Sequence, residues 1–158
     1  MSELGYKKLL RAIKRTQPEV IVVSGAPGSG KSTYVRENKT DQSIVVDLDS
    51  ICDAIQGGTN AHKDHSTVLN TGLQIRELLY REIEEKNDEW DKAFIIAASP
   101  DRNKVEKLIR RFNAKEVKMK ATREQCISQI RKDASRKGRE DVYIRLANEW
   151  YDKMEGQL

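Results

Sequence analysis

The chain has 158 residues, 34% charged and 37% hydrophobic, with 29 Lys and Arg against 25 Asp and Glu for a formal net charge of +4. One α/β core fits that length and a second domain of similar size does not; the charge balance permits an acidic partner without demanding one. No apolar run approaches the roughly 20 residues of a membrane span, the first residues lack the apolar stretch of a secretory signal, and Cys52 and Cys126 stand in no metal-ligand spacing, so the expectation is a cytoplasmic protein with reduced thiols and no membrane partner.

Leu4, Leu9, Leu10 and Ile13 recur at roughly helical spacing, opposite Lys7, Lys8, Arg11, Lys14 and Arg15. This predicts a short amphipathic helix within residues 1–18 whose basic face is solvated. Val20-Ile21-Val22-Val23 is an apolar, β-branched run and reads as a buried strand. Directly after it comes Gly25-Ala26-Pro27-Gly28-Ser29-Gly30-Lys31-Ser32, which matches G-x-x-x-x-G-K-[ST] at every required position. Thr33-Tyr34-Val35-Arg36-Glu37 then continues as a helix. Strand, glycine loop and helix in that order make a phosphate-binding loop. Its backbone N–H groups wrap the nucleotide's β-phosphate at a helix N-terminus, and glycines permit backbone angles and a close approach that a Cβ would block. Gly25 to Thr33 thus form the nucleotide cradle, with Lys31 on the β/γ-phosphates, the Ser32 hydroxyl on Mg²⁺ and Thr33 as a second hydroxyl nearby.

Ile44-Val45-Val46 is a second buried strand ending in Asp47-Leu48-Asp49, with Asp49 the expected N-cap of a helix stopped by Gly57-Gly58. Thr59 to His65 is a polar loop; the His62 and His65 pair has no third ligand in sequence reach, so a substrate-side loop is favoured over zinc. Val68, Gly72, Ile75, Leu79 and Ile83 predict a long helix from about Ser66 to Lys86. Phe94 to Ala98 is the third strand, followed by a helix capped by Ser99 with Pro100 at its first position.

The alternating run Glu116 to Lys120 is a fourth strand at a sheet edge. Thr122 to Gln125 fits a capping box opening the next helix. Arg131, Lys132, Arg136, Lys137 and Arg139 crowd around Gly138, and a final helix over about 140–156 turns Val142, Leu146, Trp150 and Met154 inward. Alternating strands and helices imply a three-layer α/β fold, a mostly parallel sheet of about four strands with helices on both faces, as one domain over 1–158.

The function of the loop follows from the carboxylates around it. A nucleotide-hydrolysing motor needs an apolar strand ending in Asp-Glu for metal and water, yet the third strand ends Ala97-Ala98-Ser99-Pro100. The second strand instead brings Asp47 and Asp49 to the γ-phosphate side, where a carboxylate can take a proton from an attacking hydroxyl.

The loop, then Val46-Asp47-Leu48-Asp49-Ser50-Ile51, then Asn70-Thr71-Gly72-Leu73-Gln74 resemble successive motifs of the phage-type 5′-polynucleotide kinase domain, one of the wider P-loop kinases. The likeness runs from about Val20 to Gly138. The tail Ala147-Asn148-Glu149-Trp150-Tyr151 resembles small phage and prophage P-loop proteins. By position the resemblance makes Asp49 the general base and the basic cluster at 122–140 the lid, with Arg136 the best match to the arginine that steadies the phosphoryl group and Lys132 one helical turn earlier. Lys137, Arg131 and Arg139 are the other candidates. Two departures stand out. The family's Asp and Asn at the end of the third strand are replaced by Ala98-Ser99-Pro100-Asp101, leaving Asp47 or Asp101 to support Mg²⁺ through water. Cys52 stands where the family has an arginine for the acceptor phosphate.

The resulting expectation is an ATP- and Mg²⁺-dependent phosphotransferase acting on a nucleic-acid or nucleotide hydroxyl. A nucleoside monophosphate or small-metabolite kinase is second. A non-catalytic nucleotide-binding switch is the reading from another class.

Overall fold

A computed structural model of the chain describes residues 1–14, 18–58, 64–86 and 89–157. The described strands are β1 (Glu19–Ser24), β2 (Ile44–Val46), β3 (Lys92–Ala97) and β4 (Lys115–Lys118). They form one sheet in the order β2-β3-β1-β4, and every pairing is parallel. In β1, alternation assigns Val20 and Val22 to one face and Ile21 and Val23 to the other. β3 splits in the same way, with Ala93, Ile95 and Ala97 opposite Phe94. Both faces are therefore apolar, and both are covered.

The described helices are α1 (Glu3–Lys14), α2 (Lys31–Asn38), α3 (Leu48–Ile55), α4 (Leu69–Glu85), α5 (Arg102–Phe112), α6 (Arg123–Lys132) and α7 (Glu140–Glu155), with a 3₁₀ turn at Ala134–Arg136. Tyr80 and Ile83 of α4 and Val105 of α5 pack on one sheet face; Val35 of α2 packs on the other. Phe94, Ile95, Val22 and Val23 are fully buried, each stabilising the fold by about 1.5–3 kcal/mol. The three-layer arrangement and the edge position of β4 are as the sequence predicts.

Several local expectations are corrected. Asp47, not Asp49, caps α3: its Oδ1 accepts from the Asp49 N–H at 3.3 Å and its Oδ2 from the Ser50 hydroxyl at 2.9 Å. Likewise Asp101, not Ser99, caps α5, accepting from the Asn103 N–H at 3.0 Å, while the Ser99 hydroxyl accepts from the Asp101 N–H. In each case the cap is the acid immediately before the first helical residue, and it accepts from the second N–H of the helix. β2 is an edge strand, so Val45 is 37% exposed. On α7 the buried positions are Ala147 and Trp150, and Leu146 is exposed. Leu4 and Leu9 of α1 are also exposed, so that part of its apolar stripe does not join the core. Arg15 and His62 lie outside the described residues. The capping box of α6 is complete, with Thr122 and Gln125 each bonding the other's backbone.

Candidate active site

The loop between β1 and α2 is fixed at its root before it meets any ligand. Ser24, the last residue of β1, donates its hydroxyl to Glu116 Oε1 at 2.6 Å, and Arg102 grips the same carboxylate through both terminal nitrogens at 2.6 Å each. Arg102 holds the Glu116 carboxyl below its usual range. One charged network thus ties the end of β1 to β4 and the start of α5.

Beyond Ser24 the chain turns through Gly25, Gly28 and Gly30 at φ values of 154°, 77° and 92°. A Cβ on Gly28 would lie 2.7 Å from the Cys126 carbonyl and 2.8 Å from Ile130, because α6 presses on the loop. Ala26 is buried against Cys126 and Trp150. Within the cradle the Ser29 hydroxyl is buried without a protein partner. Lys31 is 8% exposed, and its Nζ donates to the carbonyls of Gly25 at 2.8 Å and Ala26 at 2.7 Å. Burial first, and then the nearby Arg136 cation, lower its pKa to about 8, against the opposing pull of Asp47 and Asp49. A glycine loop of amides around a desolvated cation is suited to bind an anion.

Asp49 opens onto the same cleft, its side chain 52% exposed. His65 stands beside it, Nδ1 3.7 Å from Asp49 Oδ1, with the imidazole only 9% exposed and its buried Nε2 lacking a protein partner. Cys52 is buried one turn along α3 from Asp49. Burial, reinforced by Asp49 and Asp47, raises its thiol pKa. A Cβ on Gly72 would lie 2.5 Å from Cys52 Sγ, so α3 and α4 meet at a thiol and a glycine. Cys52 therefore serves helix packing and presents no group to the cleft.

On the opposite wall, α6 runs off the cradle into the 3₁₀ turn that carries Arg136. Its guanidinium lies 4.8 Å from the centre of the Tyr143 ring and 3.6 Å from Asp133 Oδ2, and its buried Nε has no hydrogen-bond partner. Tyr143 sits close enough to Asp49 that burial and that carboxylate together raise its pKa. Gly28, Lys31, Ser32, Asp47, Asp49 and Arg136 line one cleft of about 1520 Å³. Lys132 and Arg139 also reach it, whereas Arg131 and Lys137 do not line it.

A family model described as an AAA domain matches residues 20–156, from the first residues of β1 through α7. The chain belongs to the AAA domain family. This AAA domain is similar in structure to a chain of the Pnkp1/Rnl/Hen1 RNA repair complex, with a TM-score of 0.57 at 15% identity over 86% of this chain and 46% of that one. It also resembles a candidate kinase from Chloroflexus aurantiacus (TM-score 0.56, 14% identity, 82% and 74% covered) and shikimate kinase from Acinetobacter baumannii (0.54, 14%, 89% and 80%). At such identities the likeness establishes a P-loop kinase-like fold. The chain spans less than half the length of the RNA repair chain it matches. No curated protein matches the sequence significantly.

The cradle fits a nucleoside triphosphate: Gly25 and Gly28 leave no room for a Cβ, and Ser29 and Lys31 hold polar groups that an anion would satisfy. No cluster of three or more acidic, His or Cys side chains that could hold a metal occurs among the described residues. Mg²⁺ would therefore be held chiefly by the phosphates, with the exposed Ser32 hydroxyl and one carboxylate of the cleft, the pattern usual for that ion. Asp47 and Asp101 are both engaged as helix caps. Tyr143 carries no role in the sequence reading and reaches Asp49 only through the fold; His65, placed by the sequence in a substrate-side loop, lines the cleft beside Asp49. No helix among the described residues is long and apolar enough to cross a membrane.

Proposed function

We propose that this AAA domain transfers the γ-phosphoryl group of ATP to a hydroxyl at a nucleic-acid 5′ end. One observation carries the reading: Asp49 opens onto the same cleft as the Lys31 cradle and Arg136, while the end of β3, at Ala97 to Ser99, supplies no acid for water activation. ATP, when bound, supplies the phosphoryl group and, as ADP, the leaving group. Lys31 exchanges the Gly25 and Ala26 carbonyls for phosphate oxygens. Ser32 would hold Mg²⁺, with Asp47 in support. Asp49 accepts the hydroxyl proton as that oxygen bonds to phosphorus and the bond to ADP breaks. Arg136, with Lys132 behind it, compensates the charge that spreads over the phosphoryl oxygens.

The structural likeness to a chain of an RNA repair complex supports a nucleic-acid acceptor. A small-acceptor kinase is the second reading, favoured by Cys52, whose burial leaves that position of α3 without a cation for an acceptor phosphate. Incubation with γ-labelled ATP and a panel of 5′-hydroxyl oligonucleotides, nucleosides, nucleoside monophosphates and sugars tests both. Label on the oligonucleotides is expected; label confined to a small acceptor would favour the second reading, and nucleotide binding with no labelled product would favour a switch.

A further inference from the structure

The cleft does not end at the transfer centre. It continues down the sheet face between α4 and α5, where Arg76, Lys104 and Lys107 line it above Tyr80 and Leu108. Arg111 closes the far end, binding Glu77 and Glu84 of α4 and so bracing the two helices. Gly72, Arg76 and Tyr80 fall on one stripe of α4 at four-residue steps. That stripe begins where Gly72 meets Cys52, on the helix that carries Asp49. The groove therefore leads away from Asp49.

Three of its cations stand outside the ion pairs of the two helices. The ion pairs of α4 and α5 join Arg102 to Glu106 and Glu116, and Arg111 to Glu77 and Glu84. Among the described residues, none involves Arg76, Lys104 or Lys107. The Arg76 guanidinium rests over the Tyr80 ring at 5.6 Å. Three cations spread along two helices are more than one acceptor phosphate needs. Lys104 and Lys107 alone are separated by about 4.5 Å along the helix axis. Tyr80 is buried beneath Arg76 and Arg111, so the groove offers a strand its cations rather than a stacking ring, as a groove that tracks the backbone does.

We propose that the α4–α5 groove binds the phosphodiesters downstream of the acceptor's 5′ end, making the substrate a single strand several nucleotides long. This rests on the transfer reading above. The test measures acceptor KM for 5′-hydroxyl oligonucleotides of two, four, eight and twelve nucleotides, in wild type, in K104E/K107E and in the charge-matched K8E/K153E, whose positions lie off the groove. Wild type and K8E/K153E should show KM falling at least tenfold from the shortest to the longest acceptor. K104E/K107E should flatten that dependence. Its salt slope for strand binding should also drop by about 1.4, at roughly 0.7 for each lost phosphate contact on a single strand. Length dependence that survives in K104E/K107E, or that K8E/K153E removes equally, would overturn the groove and leave the transfer reading intact. A wild-type protein that labels no oligonucleotide of any length would overturn both.

Discussion

The two walls of the cleft are built on opposite plans. The phosphate wall is eight consecutive residues, Gly25 to Ser32, held by their own backbone geometry and by α6 pressing on Gly28. The acceptor wall is assembled from separated pieces: Asp49 from α3, His65 from the segment before α4, Arg136 from the 3₁₀ turn and Tyr143 from α7. Binding a triphosphate needs a fixed cradle whose shape is set before the ligand arrives. Transfer needs groups that meet a second substrate, and these are positioned by tertiary packing.

Severing one wall should leave the other standing. Lys31→Ala removes two or more charge-assisted contacts to phosphate, each worth about 1.5–3 kcal/mol, so ATP affinity measured by calorimetry should fall about 10²- to 10⁴-fold while the fold is kept. Arg136→Ala should act on the other side. It should lower kcat by about 10²–10³ with much less change in ATP affinity, and an effect confined to affinity would move Arg136 to the phosphate wall.

The phosphate wall also carries a pH signature. Lys31 is held at about 8 in the free protein, and a bound polyanion favours its charged form and raises that value. Below about pH 8 the lysine is already protonated and ATP affinity should be flat. Above it, binding must take up a proton, and affinity should fall by up to about tenfold per pH unit. By the same sign, burial of Lys31 costs the free fold stability below about pH 8, a cost relieved as pH rises from there toward the ordinary 10.5.

Smallest in expected effect is the joint beneath Asp49. Gly72→Ala forces a methyl against Cys52 Sγ and should destabilise the protein by about 1–3 kcal/mol in denaturant melts. Cys52→Ala in the same chain should return part of that loss. Full additivity of the two changes would mean that α3 and α4 do not meet there.

The same division explains what could be read from the chain alone. β-branched runs, a glycine loop and helical periodicity are local signals, and they gave the sheet, its layers and the whole cradle. Arg136, proposed as the lid arginine, is recognisable only by resemblance; its place in the cleft follows from α6, whose inward face rests on the loop. Both cap residues moved by two positions because Asp47 and Asp101 reach the helix N–H groups better than Asp49 and Ser99. The departure at Cys52 becomes intelligible only with Gly72 beside it, a contact 20 residues apart in sequence. Tyr143 had no signal to give, and His65 was legible only as part of a polar substrate-side loop, its place beside Asp49 being set by the fold.

The central claim is that Asp49 takes the acceptor's proton while the cradle holds ATP independently of it. The most direct measurement compares wild type with Asp49→Ala for label transfer from γ-labelled ATP to a 5′-hydroxyl oligonucleotide, alongside ATP affinity by calorimetry. The account predicts transfer reduced by about 10²- to 10⁴-fold with ATP affinity retained. Equal transfer by both proteins, or loss of ATP affinity in step with transfer, would contradict it.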